Sequence, residues 1–475
     1  MNVTGLNMAL MPPAMLSDYE QREADGNRWS RYRRYLDFYN GRQWEERPRP
    51  GERRISVNYA RVFVLKGTSY LWGKGATFSL LPNGEGVEAE KLARQCEEYL
   101  REVWHDNGLA LLDFDAAVDA AVLGDGAFKV TLQPKGDTGP LDLQLDSGTN
   151  DTRRVVVAAC DVLGIAAKWR GDDMRRLLSV TETWRTTRFE AEELFGAGAV
   201  AKLDLGRGVK DDTLLTVREY WDDARFEVVI NNQTVREQAN PYGFVPYIIF
   251  PNQRRPRQFW GESDLVDIMQ LNSELNVRVS TLSQILQLSG NPILVLENVE
   301  DANGLRVGPG AVWAMPENSK AYLLDLLKDG GLGLHIQYIE ALYRMLHDLS
   351  EMPRSSFGDH GSQGAGGGGH SSGVALELML QPLVQKIVRK RQIWNEVLDR
   401  RNRMILKLAG LPIHRTHIEW PAVLPKDRAQ LVTDEVALVG ANIHSRELAA
   451  TNLGDEQPDV LLEQILAEAR HLAEI

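Results

Sequence analysis

Apolar positions repeat at helical spacing in the first quarter of the chain, at period two in the second, and at helical spacing again after Pro251. Tyr32, Tyr35, Leu36, Phe38 and Tyr39 predict an amphipathic helix whose aromatics enter a core. Ile55–Gly73 predicts a second helix, Glu88–Asn107 a third and Leu109–Leu123 a fourth, each followed by glycine. Between Ala127 and Phe250 the segments 128–132, 141–145, 155–159, 178–184, 214–221 and 226–230 read as strands separated by Gly, Asp and Asn turns. No strand–glycine loop–helix unit of dinucleotide-binding type occurs there.

After Pro251, Glu262–Ser289 predicts a helix with Ser263 as N-cap and Asp264 and Asp267 in its first turn. A helix of that length would run about 42 Å, too long for a compact core. Its apolar stripe is narrow. The rest is amide and hydroxyl, including Gln270, Asn272, Asn276 and Gln284, with Arg278 as the single base. Such a face suits packing against copies of itself or lining a wet cavity. Asn291–Asp329 predicts a small β unit with strands near 293–296 and 312–315. Gly333–Met352 returns to helix, with a seam at Leu332, Ile336, Ile339, Tyr343 and Leu346. A glycine- and serine-rich loop follows to Gly373. Val374–Ala409 then predicts a helix of about 54 Å, kinked by Pro382. The tail beyond Pro425 reads as helical and acidic.

The chain has 475 residues, enough for about three structural units, and its 43% hydrophobic and 25% charged content is that of a globular protein. Cys96 and Cys160 are too few for a disulfide framework or a multi-cysteine metal site, so a reducing, cytoplasm-like compartment is expected. No stretch has the form of a signal peptide or reaches membrane-spanning length. A net charge of −12 argues against tight nonspecific nucleic-acid binding. Its distribution is uneven, however. Residues 28–54 carry nine arginines against four acids, and the 374–409 helix eight bases against three acids. The bases are 40 arginines and 14 lysines; arginine forks grip phosphates and carboxylates equally well.

Candidate chemistry is sparse. The glycine loop lacks the lysine that a phosphate cradle needs. His360 with His370, and His414 with His417, have no third or fourth ligand nearby. Asp172–Asp173 and Asp222–Asp223 sit at turns, where aspartate pairs are routine. No catalytic residues, metal or cofactor are expected, and the chain is not expected to be an enzyme.

Several segments carry a family resemblance. ISVNYARVFVLKGTSYLWGKG at Ile55–Gly75 and LGDGAFKV at Leu123–Val130 resemble tailed-bacteriophage portal proteins. So do NPYGFVPYIIF at Asn240–Phe250, WGESDLVDIMQLNSELN at Trp260–Asn276, NPILVL at Asn291–Leu296, and the segment from Ser372 to Trp394. They occur in the family's order between about residues 28 and 410, and are most similar to the siphophage-type portals.

The resemblance implies an α+β, predominantly helical, portal-type fold assembled as a ring of about twelve subunits. Residues 1–261 would form an α/β wing, 262–290 and 333–352 two stem helices, and 291–332 a β-containing clip. A tunnel loop would span 353–373, a long kinked helix 374–410, and a helical crown 411–475. It further implies a channel for double-stranded DNA packaging and ejection at one capsid vertex. The implied partners are the terminase large subunit, major capsid and scaffolding proteins and a head–tail adaptor, with no membrane. The implied location is the virion, after assembly in the host cytoplasm.

Mapped onto this chain, Arg354, Ser355, Ser356, His360, Ser362, Gln363, His370 and Ser371 would approach DNA. Gln270, Asn272, Asn276, Arg278 and Gln284 would face the channel or neighbouring subunits. Asn303, Arg306 and Lys320 would serve docking at the clip. A weakly charged loop fits a conduit, since every phosphate–cation contact adds to affinity and slows sliding. The competing readings are a DNA-processing enzyme of the packaging apparatus, nuclease or ATPase, and an unrelated helical scaffold. Deleting 361–369 is expected to leave ring assembly intact, because a polar glycine segment adds little to any core. Native mass measurement checks this, and loss of the ring would remove the loop from the channel.

Overall fold

The computed structural model describes residues 13–134, 153–204, 210–290, 294–298, 317–323, 331–358, 373–424, 428–453, 462, 464 and 465. The chain divides into two compact units, Met1–Glu419 and Trp420–Ile475.

The first unit opens with helices α1 (Pro13–Tyr39) and α2 (Tyr59–Trp72), strand β1 (Thr77–Leu81), and helices α3 (Val87–Asp106) and α4 (Leu109–Leu123). Strands β2 (Asp125–Pro134), β3 (Arg153–Ala159), β4 (Ile165–Trp169) and β5 (Leu177–Thr187) follow. Short helices α5 (Arg188–Phe195) and α6 (Ala197–Val200) lead to β6 (Leu214–Asp222), β7 (Arg225–Ile230), β8 (Gln233–Ala239) and β9 (Tyr247–Pro251). Then come α7 (Met269–Gly290), β10 (Leu294–Glu297), β11 (Lys320–Leu323), α8 (Gly331–Leu349), α9 (Gly373–Leu408) and β12 (Arg415–Glu419). The second unit contains α10 (Arg428–Gly440) and α11 (Arg446–Asn452). None of the helices among the described residues is long and apolar enough to cross a membrane.

The strands form four antiparallel sheets. β3–β2–β9 is a three-stranded sheet, and β4 to β8 form a five-stranded meander in sequence order. β10 pairs with β11, and β1 with β12. The β1–β12 ribbon sets Phe78 opposite Ile418 and buries Phe78 against Trp104 of α3, at 4.7 Å between ring centroids. It also draws residues 415–419 into the first unit, so the C-terminal region begins at 420 and not at the expected 411. Extended strands carry no helical moment, which is why this ribbon, β4 and β8 escape a reading based on period alone.

α4 appears as expected over Leu109–Leu123, and its four buried alanines, 116, 117, 120 and 121, let α2 and β2 approach closely. Gly124 ends it with φ +104°; a Cβ there would sit 2.9 Å from the Ser263 amide nitrogen. The Ser263 hydroxyl donates to the Ala121 and Val122 carbonyls, the latter at 2.5 Å, and accepts from the Leu265 amide. Ser263 is therefore a clamp on the end of α4, not the cap of a long helix. Residues 264–268 form turns, and α7 starts at Met269, shorter than the expected Glu262–Ser289 helix.

Buried charges tie the unit together. Arg401 of α9 and Asp113 of α4, both fully buried, form a bidentate pair, with the Arg401 guanidinium 4.9 Å from the Trp104 ring and 5.1 Å from that of Phe128. Arg28 of α1, also buried, donates to the Val162 and Ile165 carbonyls and stacks over Trp260 at 3.6 Å. Tyr32 donates to Asp125, which also accepts from the Gly261 amide at 2.7 Å. Burial raises the Asp125 pKa to about 6, against the lowering effect of these hydrogen bonds. Between the two larger sheets, Lys129 of β2 bridges Glu182 of β5 and Glu219 of β6, and the Tyr247 hydroxyl donates to Glu182 at 2.7 Å.

Asp113→Ala is expected to cost about 3–5 kcal/mol, because it strands the Arg401 charge in the core. Changing both residues, Asp113→Leu with Arg401→Met, should cost far less. Urea unfolding midpoints compare the two, and equal losses would show that shape rather than charge balance governs this contact.

Candidate functional site: an anchored helical pair

α7 and α8 lie side by side and are joined through the β10–β11 ribbon. The chain enters and leaves this pair at one place on α9. Asp264, just before α7, is buried against two lysines of α9: Lys390 at 2.5 Å and Lys386 at 3.6 Å. Gln253 and Asn252 donate to the same carboxylate at 2.6 and 3.1 Å. Lys386 also donates to the Ser350 carbonyl at 2.9 Å, just past the end of α8. One side-chain knot thus pins both ends of the excursion to one turn of α9, since residues 386 and 390 are neighbours on a helix. Burial alone would raise the Asp264 pKa, yet Lys386 and Lys390 hold it well below the usual carboxylate range. Burial draws Lys390 down, opposed by Asp264, with Lys386 adding to the depression.

The polar face of α7 has a definite use. Residues 55–57 run extended beside it, and side chains one turn apart serve their backbone. The Val57 amide donates to Asn276 at 2.8 Å and the Ile55 amide to Ser280 at 2.9 Å, while Asn272 donates to the Val57 carbonyl at 3.0 Å. Gln43 accepts from both Asn272 and Asn276. Asn272 and Asn276 are 0% and 1% exposed, so they do not face a channel or a neighbour as expected. They satisfy backbone groups that would otherwise be buried without partners. Gln270 is exposed and Gln284 half-buried, and both remain on the outer face of α7. Arg278 pairs with Glu274 at 2.6 Å, and its guanidinium lies 5.4 Å from the Tyr338 ring of α8.

Beyond α8, a 3-10 turn at Arg354–Phe357 starts the glycine-rich segment. Phe357 meets Phe63 of α2 and His347 of α8 edge-on, at 5.5 and 5.2 Å between ring centroids. Tyr343 packs on His347 at 4.5 Å and carries Arg354 over its other neighbourhood, 5.0 Å from its ring. Arg354 is exposed and Ser355 half-buried. Ser356 is buried, donating to the Pro353 carbonyl at 2.6 Å, so it is part of the turn and not a DNA-facing hydroxyl. His360, Ser362, Gln363, His370 and Ser371 lie outside the described residues, as do Asn303 and Arg306. So do the expected strands at 141–145 and 312–315. Lys320 is exposed on β11, opposite Glu297 of β10.

Reasoning from sequence missed the clustering of charge. The basic 374–409 helix spends Lys386, Lys390 and Arg401 inside the chain. Asp113, one of three aspartates in the otherwise apolar α4, was the available signal for one of these contacts. Of the paired histidines, His414 is buried, with Nδ1 3.1 Å from the Leu81 carbonyl, and His417 is exposed. Cys96 is buried in α3. The Asp172 and Asp222 carboxylates serve turns, binding Arg170 and the Ala224 and Arg225 amides. Among the described residues, no group of three or more His, Cys, Asp or Glu could hold a metal ion.

Asp264→Asn removes the carboxylate and leaves two ammonium groups buried together, so α7 should loosen where it begins. Because the folded pKa lies below the unfolded value, the stability Asp264 contributes is present above about pH 4 and is lost as pH falls through and below the carboxylate range. Wild type should therefore destabilise on acidification more steeply than Asp264→Asn. Hydrogen exchange of amides 265–272 as a function of pH measures this; parallel profiles would exclude the carboxylate as the anchor.

No curated protein matches the chain. A family model described as phage portal protein, SPP1 Gp6-like, matches residues 196–474, more than half of the sequence, and takes in the whole α7–α8 pair, its anchor on α9 and the C-terminal unit. With that extent of match on this arrangement of helices, the chain belongs to the SPP1 Gp6-like phage portal protein family.

Proposed function

We propose that the chain is a structural subunit of a ring of about twelve copies at one vertex of a phage capsid. The ring encloses the path of double-stranded DNA during packaging and ejection. It docks the terminase motor first and head–tail connector proteins afterwards. The observation that carries this reading is the α7–ribbon–α8 excursion pinned at both ends to α9, within the region of the family match. A helical pair held at its base and along the first half of α7 leaves the β10–β11 ribbon for docking, where Lys320 is exposed. α8 supports the same reading, since it exposes Leu334, Ile336, Met345 and Leu349 along its length. Exposed apolar side chains of that kind are costly on a monomer and useful against neighbouring copies. The chain is a conduit wall and not a catalyst: sequence and site offer positioning groups, and the DNA translocation is driven by the docked motor.

Native mass spectrometry of the purified protein should show a species of about 640 kDa, twelve chains of 53.3 kDa, closed by a heterologous contact. The same preparation should hydrolyse no ATP without the motor. A monomer at every concentration, or intrinsic hydrolysis, would overturn the proposal.

A further inference from the structure

The five-stranded sheet ends in two surfaces of opposite character, and neither belongs to the anchored pair. At one end the β4–β5 turn, the β6–β7 turn and α9 enclose a cavity of about 530 Å³. Phe244, Val245 and Met404 give it an apolar floor, and Arg175, Arg176 and Arg400 stand around it. Arg257 borders the adjoining hollow, which shares Arg175 and Asp173 with this one. Among the described residues, none of these four guanidiniums makes an ion pair, whereas Asp172 is taken by Arg170 and Glu396 by Arg254. Asp173 and Asp223 remain, two acids against the three arginines of this hollow and Arg257 of the adjoining one. Burial lowers the Arg400 pKa, with Arg175 adding to the depression and Glu396 and Asp173 opposing it.

At the other end β5 passes through Thr187 into α5, and Thr187 pairs with Leu214, the first residue of β6. The Phe189 amide donates to the Asp211 carbonyl, which brings the turn before β6 beside α5. Phe189, Leu194 and Leu214 are 55%, 61% and 62% exposed there. Among the described residues, Glu193, Asp211 and Asp212 are exposed around them without ion pairs, against Lys210, while Arg188 is held by Glu192. β5 has eleven residues, which sets the two ends about 36 Å apart on one sheet.

The geometry points to a head-to-tail contact between copies of this chain, in which the acidic, apolar knob around Phe189 and Asp211 enters the arginine-rimmed hollow around Arg175 and Arg400 of the next copy. Complementary patches at opposite ends of one sheet suit a heterologous, head-to-tail contact. They repeat from copy to copy, and the repeat closes when the rotation permits. Apolar side chains seated in a hollow supply the central contact, and the surrounding charges set register and reject wrong neighbours. A nucleic-acid backbone suits the hollow less well, because its floor is apolar and Asp173 and Asp223 interrupt the positive rim. The contact rests on the ring reading above and names the surfaces that would close the ring.

Two charge-reversed full-length chains test it: Arg175→Glu with Arg176→Glu, and Asp211→Arg with Asp212→Arg. Each alone should raise the subunit concentration needed for half assembly by about tenfold or more. An equimolar mixture should form rings again, with the two variants alternating, and a chain carrying all four changes should assemble by itself. Size-exclusion chromatography with light scattering reads the assembly. If a reversed chain does not fold, as judged by circular dichroism, Arg175→Gln with Arg176→Gln and Asp211→Asn with Asp212→Asn read the loss of assembly alone, at smaller amplitude and with no recovery expected on mixing. Rings of wild-type stability in the single-end variants, or no recovery in the mixture, would overturn the contact while leaving the ring reading intact. Absence of rings in wild type would overturn both.

Discussion

One carboxylate shared by two lysines holds the architecture in register. Asp264, Lys386 and Lys390 meet with each side chain 7% exposed, and Lys386 reaches on to the Ser350 carbonyl. This cluster fixes the start of α7 and the end of α8 on α9, where Arg389 pairs with Glu351 beside it. Apolar packing alone could slide along that helix by a turn with little loss, since α9 offers a similar apolar stripe at each turn. A buried ion cluster tolerates no such slip, because displaced charges would sit in the core without partners. The amides of Asn252 and Gln253 complete the cluster by filling the remaining lone pairs on Asp264.

The same economy governs the rest of the first unit. Arg401 with Asp113 joins α9 to α4, Lys129 joins the two larger sheets, and Arg28 joins α1 to the β3–β4 connection. Each is a directional contact between elements far apart in the chain, set among apolar or aromatic side chains. Elements joined in this way cannot creep relative to one another. Charge pairs in a low-dielectric interior give that property, at a desolvation cost that close geometry and extra hydrogen bonds offset.

The polar face of α7 shows how composition can mislead. Asparagine and serine repeat at one-turn spacing because they serve the extended backbone of residues 55–57, in place of a second strand. Water in a channel would ask for the same residue types. What distinguishes the two uses is the position of a segment more than two hundred residues away, and no local pattern records it. The outer residues Gln270 and Gln284, by contrast, are exposed and half-buried on the helix.

By itself the sequence determined the alternation of helical and strand-forming regions, the extent of α4, the excursion between two helices and the long helix that follows. Local periodicity and glycine or proline punctuation suffice for these, because an element depends chiefly on residues within a few turns of one another. It also carried the family's segments in their order. Only the tertiary structure decided which charges face inward, that Asn272 and Asn276 are internal ties, that β12 closes on β1, and that α7 begins after a clamped turn. Those outcomes depend on which distant groups arrive within about 3 Å of each other, and hydrogen bonds and ion pairs are selective only at that range.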